Sequence, residues 1–597
     1  MNRFSLLLVC SILLAGGSVR AEEPDSGPVD SGYSERVSVT AARTPIPVNE
    51  TGNSVSILTR EQIEERGHVF LADLLRGLHG LSISRSGPAG SQTQIRVRGA
   101  EANHVLVRID GVDVSDVFGA DELPLEIITG DDIERIEFVR GPQSGLWGSD
   151  AVAGVINILT RSARAPGISA SLEGGSFGTA RAAGRYAYGN EWVRFDANLS
   201  HLDSDGTNIS RQGPEDDGTR NTTAGVALRI APETPLGVEL SVRHTESSSD
   251  FDAVDFVTTG LPVDAADSTD TDLTLIRLAG EWRAEDSRWN HRAAFSSVGS
   301  NTRTRVGGTP DTSTTIEKLG LSLQTAVEIG KHGIAFAIDH ERRDFSQRGV
   351  PSPFGDPNQD QDIDNTGFAI EYRFRVKDRW ATSANLRHES NSDFDDITTF
   401  RLTGSVGFGD KTRLRAAVGT GQKAPTFIER FGFFPGSFIG NPSLRPERSK
   451  SFEIGIDRQF GEAATVGVTY FDATLDDEIN GAVFDATAGG FTAVNEITAS
   501  DRRGVEAAFT TPIAKRADLH ASYTYTDAKQ PAATGGTERE LRRPRHLATL
   551  AASWRSAGGR FKARCSLNRT GWRRICFSHR SPVPRNASHS TVICLPI

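Results

Sequence analysis

The stretch Phe368-Ala369-Ile370-Glu371-Tyr372-Arg373-Phe374-Arg375-Val376 puts five apolar side chains on one side of an extended chain and Ala369, Glu371, Arg373 and Arg375 on the other. Successive side chains of a strand point to opposite faces, so this is a strand with one apolar and one charged face. The same period recurs at residues 193–200, 224–230, 238–242 and 319–329. A soluble sandwich alternates too. Three further features select a membrane barrel. The strands run about ten residues, the length of a tilted strand crossing a bilayer. Their polar face is frankly charged, as the wall of a water-filled lumen is. The links alternate between short turns and long acidic loops, as at residues 203–220 and 250–272. Roughly 430 residues at about 20 per strand and link give around 20 to 22 strands, a size whose lumen needs a plug. The predicted fold class is β: a large antiparallel transmembrane β-barrel over residues 163–574.

The residues before it read differently. Arg3, the apolar run at 4–15 and the small residues Gly16-Gly17-Ser18 form a secretory signal peptide over 1–21, cleaved after Ala21. Residues 22–44 are a disordered lead-in, polar and rich in Pro and Gly at 22–34. Residues 45–162 have mixed α/β character, the expected plug domain in the lumen. Thr59-Arg60-Glu61-Gln62 opens a helix as a capping box. Ile63, Phe70, Leu71, Leu74, Leu75 and Leu78 supply that helix with one apolar face. Short strands follow at 94–97, 105–109, 133–139 and 155–159.

Composition excludes other classes. The 597 residues are only 37% hydrophobic. No run past the N-terminus reaches the roughly 20 apolar residues of a spanning helix, so a polytopic helical protein is excluded. A net charge of −11 speaks against a nucleic-acid binder, which shows a basic face. Gly174-Gly175-Ser176-Phe177-Gly178 fits the nucleophile-elbow pattern but lacks its strand–turn–helix context, and the 13 His show no metal-ligand spacing. No enzyme is expected.

Charge and cysteine are uneven along the chain. Residues 560–597 hold seven Arg, one Lys and no acid, which leaves −19 on the 559 residues before them. Three of the four Cys, at 565, 576 and 594, fall in the same stretch. Alternation fades after Arg574, and Pro582, Pro584 and Pro596 interrupt any strand there. Residues 575–597 therefore read as an aberrant tail, with a frameshift near 572–576.

Four segments carry a resemblance to the TonB-dependent outer-membrane transporters. Glu35-Arg36-Val37-Ser38-Val39-Thr40-Ala41 resembles the TonB box, and its β-branched residues suit strand addition to a partner sheet. Residues 94–99 with 105–111 (VLVRIDG), and residues 133–161 (IERIEFVRGPQSGLWGSDAVAGVINILTR), resemble the family's plug. The charges Glu134, Arg135, Glu137 and Arg140 resemble those that hold a plug to the barrel wall. Residues 419–429 and 440–455 resemble the late-barrel signature. The resemblance implies 22 strands, of which this chain is expected to lack the last two or three. It implies a Gram-negative outer-membrane location and assembly by the barrel-assembly machinery. It also implies energy coupling through TonB with ExbB and ExbD, and a monomer.

Within the family the chain resembles the cobalamin (corrinoid) transporters, in residues 98–115 above all. That implies ligand contacts at the plug apex, around Gln92, Gln94, Glu101 and Asn103. No cofactor is required, but the resemblance implies structural calcium in the early loops, held by Asn208, Glu215, Asp217, Asp252 and Asp267. Such an oxygen-rich set suits a cation that takes six to eight oxygens. Alternatives are a ferric siderophore or haem as cargo, and a defective product that does not assemble. A signal transducer would carry a further domain of roughly 80 residues before the box, where this chain has about 13.

Overall fold

The computed structural model describes residues 37–115, 125–162, 166–211, 213–255, 258–284, 288–351, 355–376, 379–434, 438–461, 463–486, 490–514, 516–532, 535–556, 559–568, 573–580 and 590–596, the last stretches from residue 555 by backbone alone. The signal peptide, Glu35 and Arg36 lie outside the described residues.

The plug opens with β1 (Val37–Ser38), which pairs antiparallel with β2 (Ile46–Pro47). Its main sheet has the order β3-β8-β9-β6-β7, from β3 (Val55–Leu58), β6 (Val105–Ile109), β7 (Val112–Asp113), β8 (Ile133–Arg140) and β9 (Gly154–Thr160). A hairpin of β4 (Leu81–Arg85) and β5 (Thr93–Val97) stands apart from it. The helical region divides where one helix was expected. Thr59 and Gln62 form both bonds of the capping box on α1 (Arg60–Arg66). Gly67 then takes the left-handed conformation (φ 62°) and ends it, and Phe70 is extended ahead of α2 (Leu71–Leu75). The apolar side chains still reach one core, in which Ile63, Leu71, Leu74 and Leu75 meet Phe138, Ile156 and Ile158. Leu273, Leu275 and Val298 of the barrel wall join that core, so plug and wall share apolar packing. A short helix, α3 (Ser144–Trp147), closes the plug against the wall.

The barrel runs through β10 (Gly167–Gly174), β11 (Ala180–Gly189), β12 (Val193–Ser204), β13 (Thr219–Ile230), β14 (Leu236–Phe251) and β15 (Asp267–Arg283). It continues with β16 (Trp289–Val306), β17 (Thr309–Ile329), β18 (His332–Gly349), β19 (Gln359–Val376), β20 (Trp380–Asn391), β21 (Ile397–Phe408) and β22 (Thr412–Lys423). After β22 come α4 (Phe427–Phe431), β23 (Phe433–Phe434) and β24 (Phe438–Ile439), which lie above the wall. The wall resumes with β25 (Glu447–Phe460) and β26 (Ala464–Asp476), and β27 (Ile479–Asp485) and β28 (Gly490–Asn495) complete a small loop sheet with β23 and β24. The last wall strands are β29 (Ser500–Ala514), β30 (Ala517–Pro531), β32 (His546–Ser556), β33 (Gly559–Asn568), β34 (Arg573–Arg580) and β35 (Ser590–Pro596). Between β30 and β32, β31 (Thr537–Arg539) is a three-residue arm. Every wall pairing is antiparallel.

Burial shows which side faces lipid. Phe368 and Tyr372 of β19 are 51% and 42% exposed, whereas Glu371 between them is 1% exposed. A soluble sheet buries its apolar face; this one presents it outward and buries charge against the plug. Trp192, Trp282, Trp289, Trp380 and Trp554 are exposed beside the short turns, an aromatic belt at one rim. No helix among the described residues is long and apolar enough to cross a membrane.

The end of the chain departs from expectation. The backbone of 573–580 and 590–596 pairs into the sheet as β34 and β35, where an irregular tail was predicted. Setting β31 aside, 21 strands alternate in direction from β10 to β35. The first and last therefore run the same way, and among the described residues no ladder joins them. Closing an all-antiparallel barrel takes an even number.

Candidate functional site

The lead-in segment is docked. Ser38 Oγ (2.8 Å), Val39 N (3.0 Å) and Thr40 Oγ1 (2.7 Å) all donate to Glu137 Oε2 of β8. Asn157 Nδ2 donates to Thr40 Oγ1 at 3.1 Å, and Trp147 Nε1 to the Thr40 carbonyl at 3.0 Å. Ala41 and Ala42 pack with Ile46 and Val139, and Arg401 of the wall donates to the Ala41 carbonyl at 2.9 Å. Two residues on, Arg43 pairs with Asp339 at 2.8 Å, and Asp339 also takes Arg387 at 2.7 Å. Trp147 lies between two guanidinium groups, Arg43 at 4.7 Å and Arg108 at 4.4 Å from its ring centre.

The charges expected to hold the plug to the wall divide differently. Glu137 holds residues 38–40, while Glu134 and Arg135 pair inside the plug with Arg161 and Glu137. Only Arg140 of the four faces a wall acid, Glu506, at 3.7 Å. The main clamp is Arg98, which reaches Glu453 at 2.5 Å and Glu506 at 2.8 Å. Its backbone is left-handed (φ 55°), a cost that aims the guanidinium between two wall carboxylates. The signal for it was the 94–99 motif, but partners 355 and 408 residues away are not readable from sequence.

At the plug's loop-side end, Arg96 brings Gln94 and Glu101 together, bonding the first and lying 3.8 Å from the second. Glu101 is also paired with Arg543 of the wall. Gln92 is exposed after the β4–β5 turn, and Asn103 sits in the one-turn helix before β6. Gly90 in that turn (φ 93°) runs so close to β13 that a Cβ there would lie 2.3 Å from Thr219 Oγ1. The hairpin thus abuts the loop at 205–218.

In that loop and the next, carboxylate oxygens of Glu215, Asp217 and Asp252 lie within 4.8 Å of one another. Buried oxygens of Asn208 (Oδ1), Glu215 (Oε2) and Asp217 (Oδ1) have no hydrogen-bond partner. Partial burial first, and then the carboxylates of Asp217 and Asp252, push Glu215 up to about 7. Burial raises Asp217 as well, against the stabilising Ile209 N–H. Orphaned oxygens on crowded carboxylates fit a hard divalent cation, which would supply the missing partner and relieve the repulsion. Asn208 reaches this group through Asp264, a residue the sequence reading missed. Asp267 does not converge with it. Its Oδ1 accepts the Gly307 N–H at 2.8 Å and shapes the β16–β17 turn.

Above the wall, the small sheet exposes Phe484 and Phe491 in edge-to-face contact at 5.7 Å. Below it Phe427 of α4 stacks on Phe345 at 5.0 Å.

Comparison with known proteins places these features. Residues 47–155 match the family model TonB-dependent Receptor Plug Domain, and residues 252–588 match TonB dependent receptor-like, beta-barrel. The chain is 27% identical over 518 residues to the vitamin B12 transporter BtuB of Photobacterium profundum, covering 84% of this chain and 80% of that one. It is 24% identical over 582 residues to the iron-regulated outer membrane virulence protein of Vibrio cholerae, covering 90% and 84%. Among solved structures, the siderophore receptor PirA of Pseudomonas aeruginosa superposes with a TM-score of 0.70 at 18% identity, covering 90% and 95%.

Proposed function

The chain belongs to the TonB-dependent receptor family, and from that premise we propose that it imports a corrinoid (cobalamin). The family comprises transporters and receptors rather than enzymes, and this chain is a TonB-dependent transporter of the Gram-negative outer membrane. In the proposal, cargo settles on the plug apex around Gln92, Gln94, Glu101 and Asn103, beneath loops 205–218 and 252–266.

One observation carries the cobalamin reading: the orphaned oxygens of Asn208, Glu215 and Asp217 beside Asp252. These loops abut the plug hairpin, so a calcium ion held there would fix the loop floor over the cargo. The relative named a vitamin B12 transporter supports the same cargo.

TonB, with ExbB and ExbD, then draws out residues 35–41 as an added strand. Withdrawal in this reading proceeds in three steps. The β1–β2 pair peels, the three donors leave Glu137, and Arg43 is dragged from Asp339. That last pair ties the lead-in to β18 of the wall.

The test is calorimetry on purified protein with cyanocobalamin and with ferric chelates, with and without calcium. Calcium-strengthened binding of cobalamin alone is expected. Binding of a ferric chelate without cobalamin would overturn the reading. It would favour the second one, uptake of an iron chelate, to which the name of the Vibrio cholerae relative points.

A further inference from the structure

A cavity of about 610 Å³ lies between the plug and one side of the wall. Its plug side is formed by β6 and β9 through Leu106, Arg108, Asn157 and Leu159. Its wall side is low because β16 and β17 place Ala294, Ser296, Gly320 and Ser322 there. A Cβ on Gly320 would fall 2.5 Å from Ser296 Oγ, so the wall is as flat as its sequence allows. The cavity runs from Arg194, the second residue of β12 above the short-turn rim, to Glu389 near the long-loop end of β20.

Charge changes along its length. At the long-loop end Asp339 holds Arg43 and Arg387, Glu341 holds Arg343, and Glu389 holds Arg387, while Asp113 accepts the Ser115 N–H at 2.8 Å. At the periplasmic end Arg229 and Arg277 share Glu239, at 3.0 and 3.7 Å. Arg292, open to the cavity, has no salt-bridge partner among the described residues. Arg108 bonds only a carbonyl, that of Gly111, and stacks on Trp147. The nearby acid, Asp110, is occupied by Thr160, accepting its N–H at 2.8 Å and its hydroxyl at 2.6 Å. In this half seven guanidinium groups line the cavity against four carboxylates, Glu61, Asp110, Glu134 and Glu239. Such a set recognises anionic oxygens, which it can take up through paired N–H donors.

We propose that the periplasmic half of this cavity is a transit site for anionic groups of the cargo (carboxylate, phosphate or sulfonate), reached as the plug is pulled. The gradient from balanced to basic favours movement of such a group away from the outer face. This rests on the reading of the chain as an importer, but its charge selectivity is measurable without any cargo.

Residues 22–564 contain no cysteine, so a thiol introduced there is unique within that span. Ala294→Cys reports the basic end, and Asn365→Cys, across from Glu341, the balanced end. Each is modified with sulfonatoethyl (anionic) or trimethylammonioethyl (cationic) methanethiosulfonate, and the rate is read by mass spectrometry of the labelled peptide. The anionic-to-cationic rate ratio, normalised to a free thiol, is expected about tenfold higher at 294 than at 365. In the Arg277→Gln/Arg292→Gln background the two ratios should converge to within twofold. Equal ratios in the parent protein, or a cationic preference at 294, would overturn the proposal. Ser296→Cys provides a second position should Ala294→Cys fail to fold. Loss of cobalamin uptake in an otherwise selective protein counts against the proposed cargo and leaves this inference standing.

Discussion

Glu137→Gln should release the energy-coupling segment without any cargo. Glu137 Oε2 accepts from Ser38 Oγ, Val39 N and Thr40 Oγ1 at 2.7–3.0 Å. Hydrogen bonds to a charged acceptor contribute about 1.5–3 kcal/mol each. The amide keeps one acceptor of similar shape, and the freed hydroxyls regain water, so we discount the sum to about 2–4 kcal/mol. At 1.4 kcal/mol per factor of ten, that shifts the undocked fraction about 30- to 700-fold. The assay is thiol labelling of Val39→Cys, a half-buried position in a segment otherwise free of cysteine. The Gln variant should label at least tenfold faster, and it should bind the periplasmic domain of TonB more tightly by a similar factor. Labelling within twofold of the parent would refute the reasoning and leave the anchoring to Trp147, Arg401 and the β1–β2 pair.

Three further outcomes follow from the geometry. In metal-free protein, ionising Glu215 destabilises the loops as pH rises from its ordinary range near 4.5 to about 7. A cation reverses the sign, so calcium affinity should strengthen between pH 6 and 8 and flatten in Glu215→Gln, measured by calorimetry. Deleting residues 35–41 should abolish saturable cobalamin uptake in cells while leaving surface binding intact; undiminished uptake would sink the coupling mechanism. A Cβ at Gly52 would fall 2.3 Å from the Ala416 carbonyl and 2.6 Å from Gly404 N, both backbone. Gly52→Ala should therefore unseat that edge of the plug and raise single-channel conductance in planar bilayers, where a silent variant would show that the seat gives way.

The wall was legible because its signal is local. Phe368 and Glu371 declare their faces within four residues, whatever the rest of the chain does. The capping box at Thr59 and Gln62 was legible for the same reason, but Gly67 ended the helix sooner than the apolar spacing indicated. The docking of residues 37–41 was not legible. The motif predicts an extended segment, and nothing in it reveals that Glu137, almost a hundred residues on, captures it. Glu215 and Asp217 were singled out because they fall on a segment that resembles the family's loop; Asp264 was missed because only folding brings it to Asn208. Arg98 was quoted within a motif, yet its clamp depends on wall strands more than 350 residues away. Where partners are remote, residue type marks a site without naming what it holds.

The placement of tryptophan has an optical consequence. Five of the seven indoles stand at the rim beside the short turns, in surroundings that plug movement leaves alone. Trp147 is the one described indole inside the barrel, donating to the Thr40 carbonyl and flanked by Arg43 and Arg108. Withdrawing the lead-in removes its hydrogen-bond acceptor and one of its two cations together. Among the described indoles, the emission of this one alone thus follows the docked state, and the protein carries its own fluorophore at the point where coupling begins.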